Sequence, residues 1–336
     1  MSNLASKLLV IQIPCLNEEL TLPATIADLP QEVEGFECVE WLVIDDGSSD
    51  RTVEVAREHG VHHVVSHSHN RGLAAAYMTG LDTALRLGAD VIVNTDADNQ
   101  YDASGIHDLV RPILEGQADM VVGERPIEQI EEFSRVKKLL QRLGSRVVRA
   151  FSGTEVRDAA SGFRAVSRST AIRLRVFGRY TYTMETLVQA GWEGLVVKSV
   201  PVGVNPKTRE SRLVRSIPRY VFRSATTIIR TFALYKPFRF FVSVGSPFFV
   251  LGVVLVTRWM LYYTLSDSYS SRLPSLFIGL GALALAVQCF AVAFLADLLA
   301  AQRRLTSELL VHMRATHWEA AKGTSESAES TRQAEI

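Results

Sequence analysis

Cysteine is scarce in this sequence of 336 residues: Cys15, Cys38 and Cys289 are the only three, and their spacing suits neither a metal site nor a disulfide framework. A reduced, cytoplasmic setting for the N-terminal part follows. Net charge is also absent, with 36 Lys and Arg against 36 Asp and Glu. No global field therefore argues for nucleic acid. Residues 1–7 lack the long apolar core of a signal peptide, so the first residues are expected to stay in the cytoplasm. There are no internal repeats. No Gly-rich phosphate loop stands near the N-terminus. His59, His62, His63, His67 and His69 cluster in sequence but follow no metal-ligand pattern. A solvated edge is the expectation for them, with His69 bordering the site developed below.

Two apolar segments stand out near the C-terminus. Residues 240–257 and 273–296 are uncharged, and at about 1.5 Å per residue both suit a bilayer. Buried core helices are the alternative, disfavoured by the length and uniformity of the second run. Its Gly279, Gly281, Ala282, Ala284 and Ala286 suit close helix contact in lipid. The linker, 266–272, is short, which predicts a membrane hairpin. Lys236 and Arg239 precede it, and Arg303 and Arg304 follow it. The positive-inside bias puts both ends in the cytoplasm. Between Lys207 and Arg239 the only acid is Glu210. Arg212, Arg215, Arg219 and Arg223 fall three or four apart, a basic helix face before the membrane, broken near Pro218. It is expected to rest on anionic lipid headgroups. The Ser-, Glu-, Ala- and Gln-rich tail after Trp318 has a disordered composition.

Strand and helix signals alternate from residue 8 to about 125. Strands are predicted at 8–13, 39–44, 64–66, 91–95 and 120–122, and helices at 18–28, 50–59, 72–87 and 103–115. A further helix at 133–151 and strands at 161–166 and 195–204, the last interrupted by Pro201, complete the reading. This order implies an α/β fold, a parallel sheet covered on both faces. The expected organisation is a catalytic domain over 1–206, a juxtamembrane segment over 207–237, two membrane helices over 238–300 and a cytoplasmic tail over 301–336.

Asp96 and Asp98 emerge at the C-terminal end of the fourth strand, where open α/β sheets bind ligands. Two carboxylates held that close repel unless a cation lies between them. A hard divalent ion fits, and such an ion commonly carries a phosphate. The second strand ends in Asp45-Asp46-Gly47-Ser48, whose carboxylates can accept bonds from a nucleobase or ribose. A capped turn explains Gly47 and Asp50, but not Asp45 and Asp46. After the third strand, Arg71-Gly72 opens a helix that offers a phosphate site. With Asn17-Glu18-Glu19 at the end of the first strand, four strand ends thus present polar groups along one edge, which suits a nucleotide diphosphate with a metal.

Pro14-x-x-Asn17-Glu18, Asp45-Asp46-Gly47-Ser48-x-Asp50-x-Thr52, Asp96-x-Asp98-x-Gln100 and Ser161-Gly162-Phe163-Arg164-Ala165 occur in this order. The ordered set resembles family 2 glycosyltransferases of the GT-A fold. Within them it is most similar to polyprenyl-phosphate glycosyltransferases, the group of dolichol-phosphate mannose synthase and the bacterial glucosyl enzymes with two C-terminal membrane helices. The resemblance covers nearly all of residues 8–300. It implies a GT-A Rossmann-like, mostly parallel sheet, followed by juxtamembrane helices and a transmembrane hairpin. It places Pro14, Asn17, Glu18, Asp45, Asp46, Ser48, Arg71, Gly72, Asp96 and Ala97 against the nucleotide. It gives Asp96, Asp98 and Gln100 to Mg2+ or Mn2+. Departures exist: Cys15-Leu16 stand where the family often has an aromatic residue. The Gln-x-x-Arg-Trp motif of the processive synthases is absent, which argues for one sugar per acceptor.

The acceptor side follows from basic residues. Arg125, Ser161, Arg164, Arg209 and Arg212 are expected at the lipid phosphate; for Arg125, a surface salt bridge is an equal alternative. Asp158 is the candidate base or orienting carboxylate, or else a loop-stabilising Asp bonded to backbone. Glu185 is placed at the sugar. The expected activity is inverting transfer of one hexose from a UDP- or GDP-sugar to polyprenyl phosphate at the cytoplasmic membrane face. The resemblance and the small-residue membrane face imply a homo-oligomer, with a tetramer favoured. A membrane-anchored nucleotidyltransferase and a non-catalytic nucleotide-sugar-binding scaffold are the alternatives.

Overall fold

The computed structural model describes residues 7–126, 152–176, 182–206, 232–265 and 273–334, with isolated positions at 142–149 and 226–230. Residues 209 and 212, most of the predicted basic helix, most of the predicted 133–151 helix and the hairpin linker lie outside the described residues. The chain divides into two compact units: Met1–Ile228 with Leu310–Ile336, and Ile229–Leu309.

In the first unit, near-continuous runs of Val, Ile and Leu form the strands β1 (Leu8–Cys15), β2 (Cys38–Asp45), β3 (His63–Ser66), β4 (Val91–Asn94) and β5 (Met120–Glu124). Such runs belong to strands covered on both faces. Two further strands, β6 (Arg164–Ser167) and β7 (Val197–Pro201), complete the sheet in the order β3-β2-β1-β4-β6-β5-β7. Pairing is parallel except for β6, which runs antiparallel to both β4 and β5. The mostly parallel sheet matches the expectation. Its helices are α1 (Leu22–Asp28), α2 (Thr52–Glu58), α3 (Leu73–Arg86), α4 (Ile106–Leu114), α5 (Arg168–Arg173) and α6 (Thr183–Trp192).

The reversed β6 has a consequence for the site. Asn94 at the end of β4 lies opposite Arg164 at the start of β6, and Val122 near the end of β5 also faces Arg164. The loop entering β6 therefore arrives at the same edge as the loops leaving β1, β2, β4 and β5.

Several boundaries differ from expectation. α1 begins at Leu22 rather than 18, because the backbone N–H groups of residues 17–19 are bonded across to the β2–α2 loop. Strand β6 starts at Arg164, residues 161–163 being loop. Pro201 ends β7 rather than interrupting it, as expected of a residue that cannot donate to the ladder.

The second unit holds α7 (Pro237–Leu265) and the first part of α8 (Leu273–Ala334), with two spans, Pro237–Leu265 and Leu273–Arg303, long and apolar enough to cross a membrane. Small residues set their contact. A Cβ on Gly252 would lie 2.6 Å from Leu283 Cγ and 2.9 Å from the Gly279 carbonyl; one on Gly279 would meet Val256. Ala282, Ala286 and Ala293 are buried against this seam, while most large apolar side chains face outward. Helix α8 continues to Ala334 through the tail whose composition predicted disorder. Ala, Glu and Gln are good helix formers, and the stretch contains no proline to stop them.

Candidate active site at the strand ends

The β1 and β2 exits are laced together. Asn17 has a positive φ of 55°; its N–H donates to Ser48 Oγ at 2.9 Å, and its Oδ1 accepts from the Ser49 N–H at 2.8 Å. Glu18 N–H donates to Thr52 Oγ1 at 2.8 Å, and Glu19 N–H to Asp50 Oδ2 at 3.2 Å. Asp45, buried, accepts from the Ser48 N–H at 3.0 Å. Gly47 is required here: its φ is 78°, and a Cβ would lie 2.7 Å from the His69 carbonyl carbon.

Asp46 organises the loop after β3. Its two oxygens accept from the N–H groups of Arg71 and Gly72 at 2.9 and 2.8 Å, and His67 binds it at 2.7 Å. The other His67 nitrogen meets Thr79 Oγ1 at 2.9 Å. The His67 side chain is thus only 5% exposed, which corrects the solvated-edge reading for this residue, a histidine between two polar partners satisfying both ring nitrogens inside the fold; His59, His62 and His69 are exposed as expected. His63 likewise pairs with Glu40, and His62 accepts from the Trp41 N–H. With both Asp46 oxygens taken by the loop, the residue shapes the Arg71-Gly72 turn from beneath.

Beyond β4, Ala97 is buried and its carbonyl accepts from Thr25 Oγ1 at 3.0 Å. Asp98 Oδ1 accepts from the Gln100 N–H at 3.3 Å, and Asn99 between them has φ 51°. Asp96 lies against the β6 loop: a Cβ on Gly162 would come within 2.8 Å of Asp96 Oδ1, so glycine is needed for that approach. Burial and the adjacent Asp98 push the Asp96 carboxyl up to about 7, while Arg125 and Arg164 pull the other way. Such a shift marks a carboxyl that is costly to ionise inside the fold beside a second carboxylate, and a divalent cation at the pair would offset that cost. Among the described residues no three Asp, Glu, His or Cys side chains converge as a ready metal cage. Asp96 and Asp98 suit a hard oxygen-seeking ion whose remaining ligands are water and diphosphate oxygens.

On the far side, Arg125 holds Asp158 in a bidentate pair, Nε to Oδ2 at 2.7 Å and Nη2 to Oδ1 at 3.1 Å. Asp158 is fully buried, and Arg125 lies over the Tyr101 ring at 5.8 Å. The pair is not a surface salt bridge, and Asp158 is bonded to a side chain rather than only to loop backbone. Arg164 departs from the expected role. It is 1% exposed, and its guanidinium donates to the carbonyls of Ser161, Thr183 and Ala159 and to Thr186 Oγ1, at 2.7–2.9 Å. Arg164 braces the loop entering β6 against α6, leaving its fork turned inward rather than toward an acceptor. Ser161 is buried in the same loop, and Glu185 is buried in the first turn of α6.

Several residues were not singled out in the sequence. Gln12 Nε2 donates to Asn94 Oδ1 at 2.9 Å, and Asn94 Nδ2 reaches both the Gly162 carbonyl (2.9 Å) and Tyr182 Oη (2.8 Å). Tyr182 stacks on Tyr77 with centroids 3.8 Å apart. Tyr101 Oη accepts from the Gly162 N–H at 2.9 Å. The available signal was polarity out of place: Gln12 and Asn94 sit in otherwise apolar strands.

A family model for Glycosyl transferase family 2 matches residues 10–175. The UDP-N-acetylglucosamine–dolichyl-phosphate N-acetylglucosaminyltransferase of Methanococcus voltae is 30% identical over 59% of this chain and 86% of its own. The polyprenol monophosphomannose synthase of Mycolicibacterium smegmatis is 28% identical over 57% of this chain and 76% of its own. Among solved structures, glucosyl-3-phosphoglycerate synthase from Mycobacterium tuberculosis, in complex with Mn2+, UDP-glucose and phosphoglyceric acid, superimposes with a TM-score of 0.56 at 22% identity, covering 68% of this chain and 80% of that one. That likeness speaks for the GT-A fold. Matched motif by motif along one sheet edge, and with such relatives, this chain belongs to glycosyl transferase family 2.

Proposed function

We propose that the protein transfers a single hexose from a nucleoside-diphosphate sugar, UDP- or GDP-linked, to polyprenyl phosphate, with inversion, at the cytoplasmic face of the membrane. The observation that carries this reading is the convergence of Asp45, the Asp96–Asp98 pair and the Arg125–Asp158 pair at one sheet edge. The relatives named for dolichyl phosphate and polyprenol phosphate, and the two membrane-length helices, support the lipid acceptor.

Asp45, with Asn17, Glu18 and Ser48 around it, receives the nucleoside; the Arg71 and Gly72 N–H groups of the next loop are spent on Asp46 rather than held for a phosphate. Asp96 and Asp98 hold Mg2+ or Mn2+, which when bound offsets charge on the leaving diphosphate. The acceptor needs little activation: a phosphate monoester has its second pKa at about 6 and is mostly dianionic at neutral pH. Its placement in line with the anomeric carbon is then the main task. Arg125 supplies the positive charge for it. Asp158, engaged by both Arg125 nitrogens, orients that charge rather than accepting a proton.

The test is transfer of labelled sugar to polyprenyl phosphate by purified protein with Mn2+ or Mg2+, across UDP- and GDP-hexoses. A chloroform-soluble labelled product from one donor is expected, and Asp98→Asn is expected to abolish it while the protein stays folded. Release of pyrophosphate would point to nucleotidyl transfer instead. Binding without turnover for every donor would point to a scaffold.

A further inference from the structure

The loop that carries the two carboxylates is one half of a strand pair whose other half comes from a distant part of the sequence. Tyr101 and Val204 form an antiparallel bridge. On either side of it, Asp102 N–H donates to the Gly203 carbonyl at 3.2 Å and Asn205 N–H to the Gln100 carbonyl at 3.0 Å. The Asn205 side chain closes the clamp. Its Nδ2 lies 3.3 Å from Asn99 Oδ1, 3.3 Å from the Tyr101 carbonyl and 3.5 Å from Asp28 Oδ2. Asn99 Nδ2 donates to the same Asp28 oxygen at 2.8 Å. Three side chains from the end of α1, the carboxylate loop and the exit of β7 thus meet at one point.

That point is where the backbone reverses. Asn99 follows Asp98 directly and holds a left-handed φ of 51°, a conformation that costs an L-residue energy and that Asn tolerates better than most. Held on both sides by Asp28 and Asn205, the Asn99 side chain fixes this reversal. The reversal in turn sets the direction in which Asp98 presents its carboxylate. From Asn205 the chain runs within two residues to Lys207, the start of the basic segment with Arg209 and Arg212.

We propose that Asn205 is a positioning residue for the divalent cation, acting through Asn99 and Asp28 to hold the Asp98 loop in its binding geometry. The inference rests on the assignment of Asp96 and Asp98 to the metal in the proposed function and deepens it.

The experiment uses the full chain in detergent. Binding of UDP and of GDP is titrated by calorimetry against Mn2+ and, separately, in EDTA, for wild type, Asn205→Ala and Asn205→Asp. The aspartate variant keeps the shape, removes both N–H donors and faces Asp28 with a like charge. Both variants are expected to raise the Mn2+ concentration for half-maximal binding of the productive nucleotide by about 3- to 10-fold, at or below the usual effect of groups behind metal ligands. Affinity in EDTA and the melting temperature are expected to stay at wild-type values. A merely structural role would lower metal-free affinity in parallel, and that result overturns the proposal. A wild-type Mn2+ requirement in both variants overturns it as well, leaving the metal site standing. Wild-type binding that ignores Mn2+ overturns the metal assignment and this inference together.

Discussion

At the residue scale, the site distinguishes charges that are spent inside the fold from charges held toward a ligand. Arg164 has four donors committed at 2.7–2.9 Å. Removing it strands three carbonyls in the interior. Arg164→Ala is expected to destabilise the protein by about 3 kcal/mol or more, a buried network losing its hub. Arg164→Lys keeps the charge but loses the planar fork, and should recover only part of the loss. Thermal denaturation of both variants checks this; near-wild-type stability of the alanine variant would return Arg164 to ligand binding. Asp96 makes a pH prediction. Its folded pKa is raised to about 7 by burial and Asp98, so the fold favours the protonated form and loses stability as pH rises from the ordinary carboxylate range through about 7. A cation needs the ionised form. Mn2+ binding must displace that proton, and affinity is expected to fall about tenfold per pH unit below about 7. Mn2+ titrations from pH 5.5 to 8 read this directly, and a flat profile would remove Asp96 from the ligand set.

At the scale of elements, position follows from which way a strand runs. The Asp45 and Asp96 motifs were legible because parallel strands deliver their exits to one edge, and apolar runs announce where each strand stops. The arrival of the Asp158–Phe163 loop at that edge depends on β6 being antiparallel, and four residues of Arg-Ala-Val-Ser carry no sign of direction. The same holds for α6, which supplies Thr183 and Thr186 to Arg164. In the second unit, Gly279, one of the two glycines that marked close helix contact, does make it, against Val256, while Gly281 faces open space; Gly252, not singled out in the sequence, packs against Leu283. Gly252→Leu is expected to force α7 and α8 apart at a cost of about 1–3 kcal/mol, the usual cost of overpacking. Lower thermal stability of the detergent-solubilised protein would show it, and an unchanged transition would mean that the seam can yield.

At the scale of the whole molecule, one chain combines an α/β unit with a polar sheet edge and a unit of two membrane-length helices. The protein is expected to remain in the membrane pellet after an alkaline carbonate wash. Release into the supernatant would show that α7 and α8 do not span a bilayer. Sequence by itself determined the alternation of elements from β1 to β5, the two apolar spans, the family motifs and the carboxylates at the strand ends. These are local properties, written in hydrophobic period and in turn residues a few positions apart. Only the tertiary structure decided what each polar side chain is bonded to. It put Arg164 inside and Arg125 on Asp158, buried the His67 side chain against Asp46, and brought Asn205 to Asn99 across 106 residues. Such pairings join segments remote in the chain, and no local pattern encodes them, because the fold alone sets the distance between two side chains.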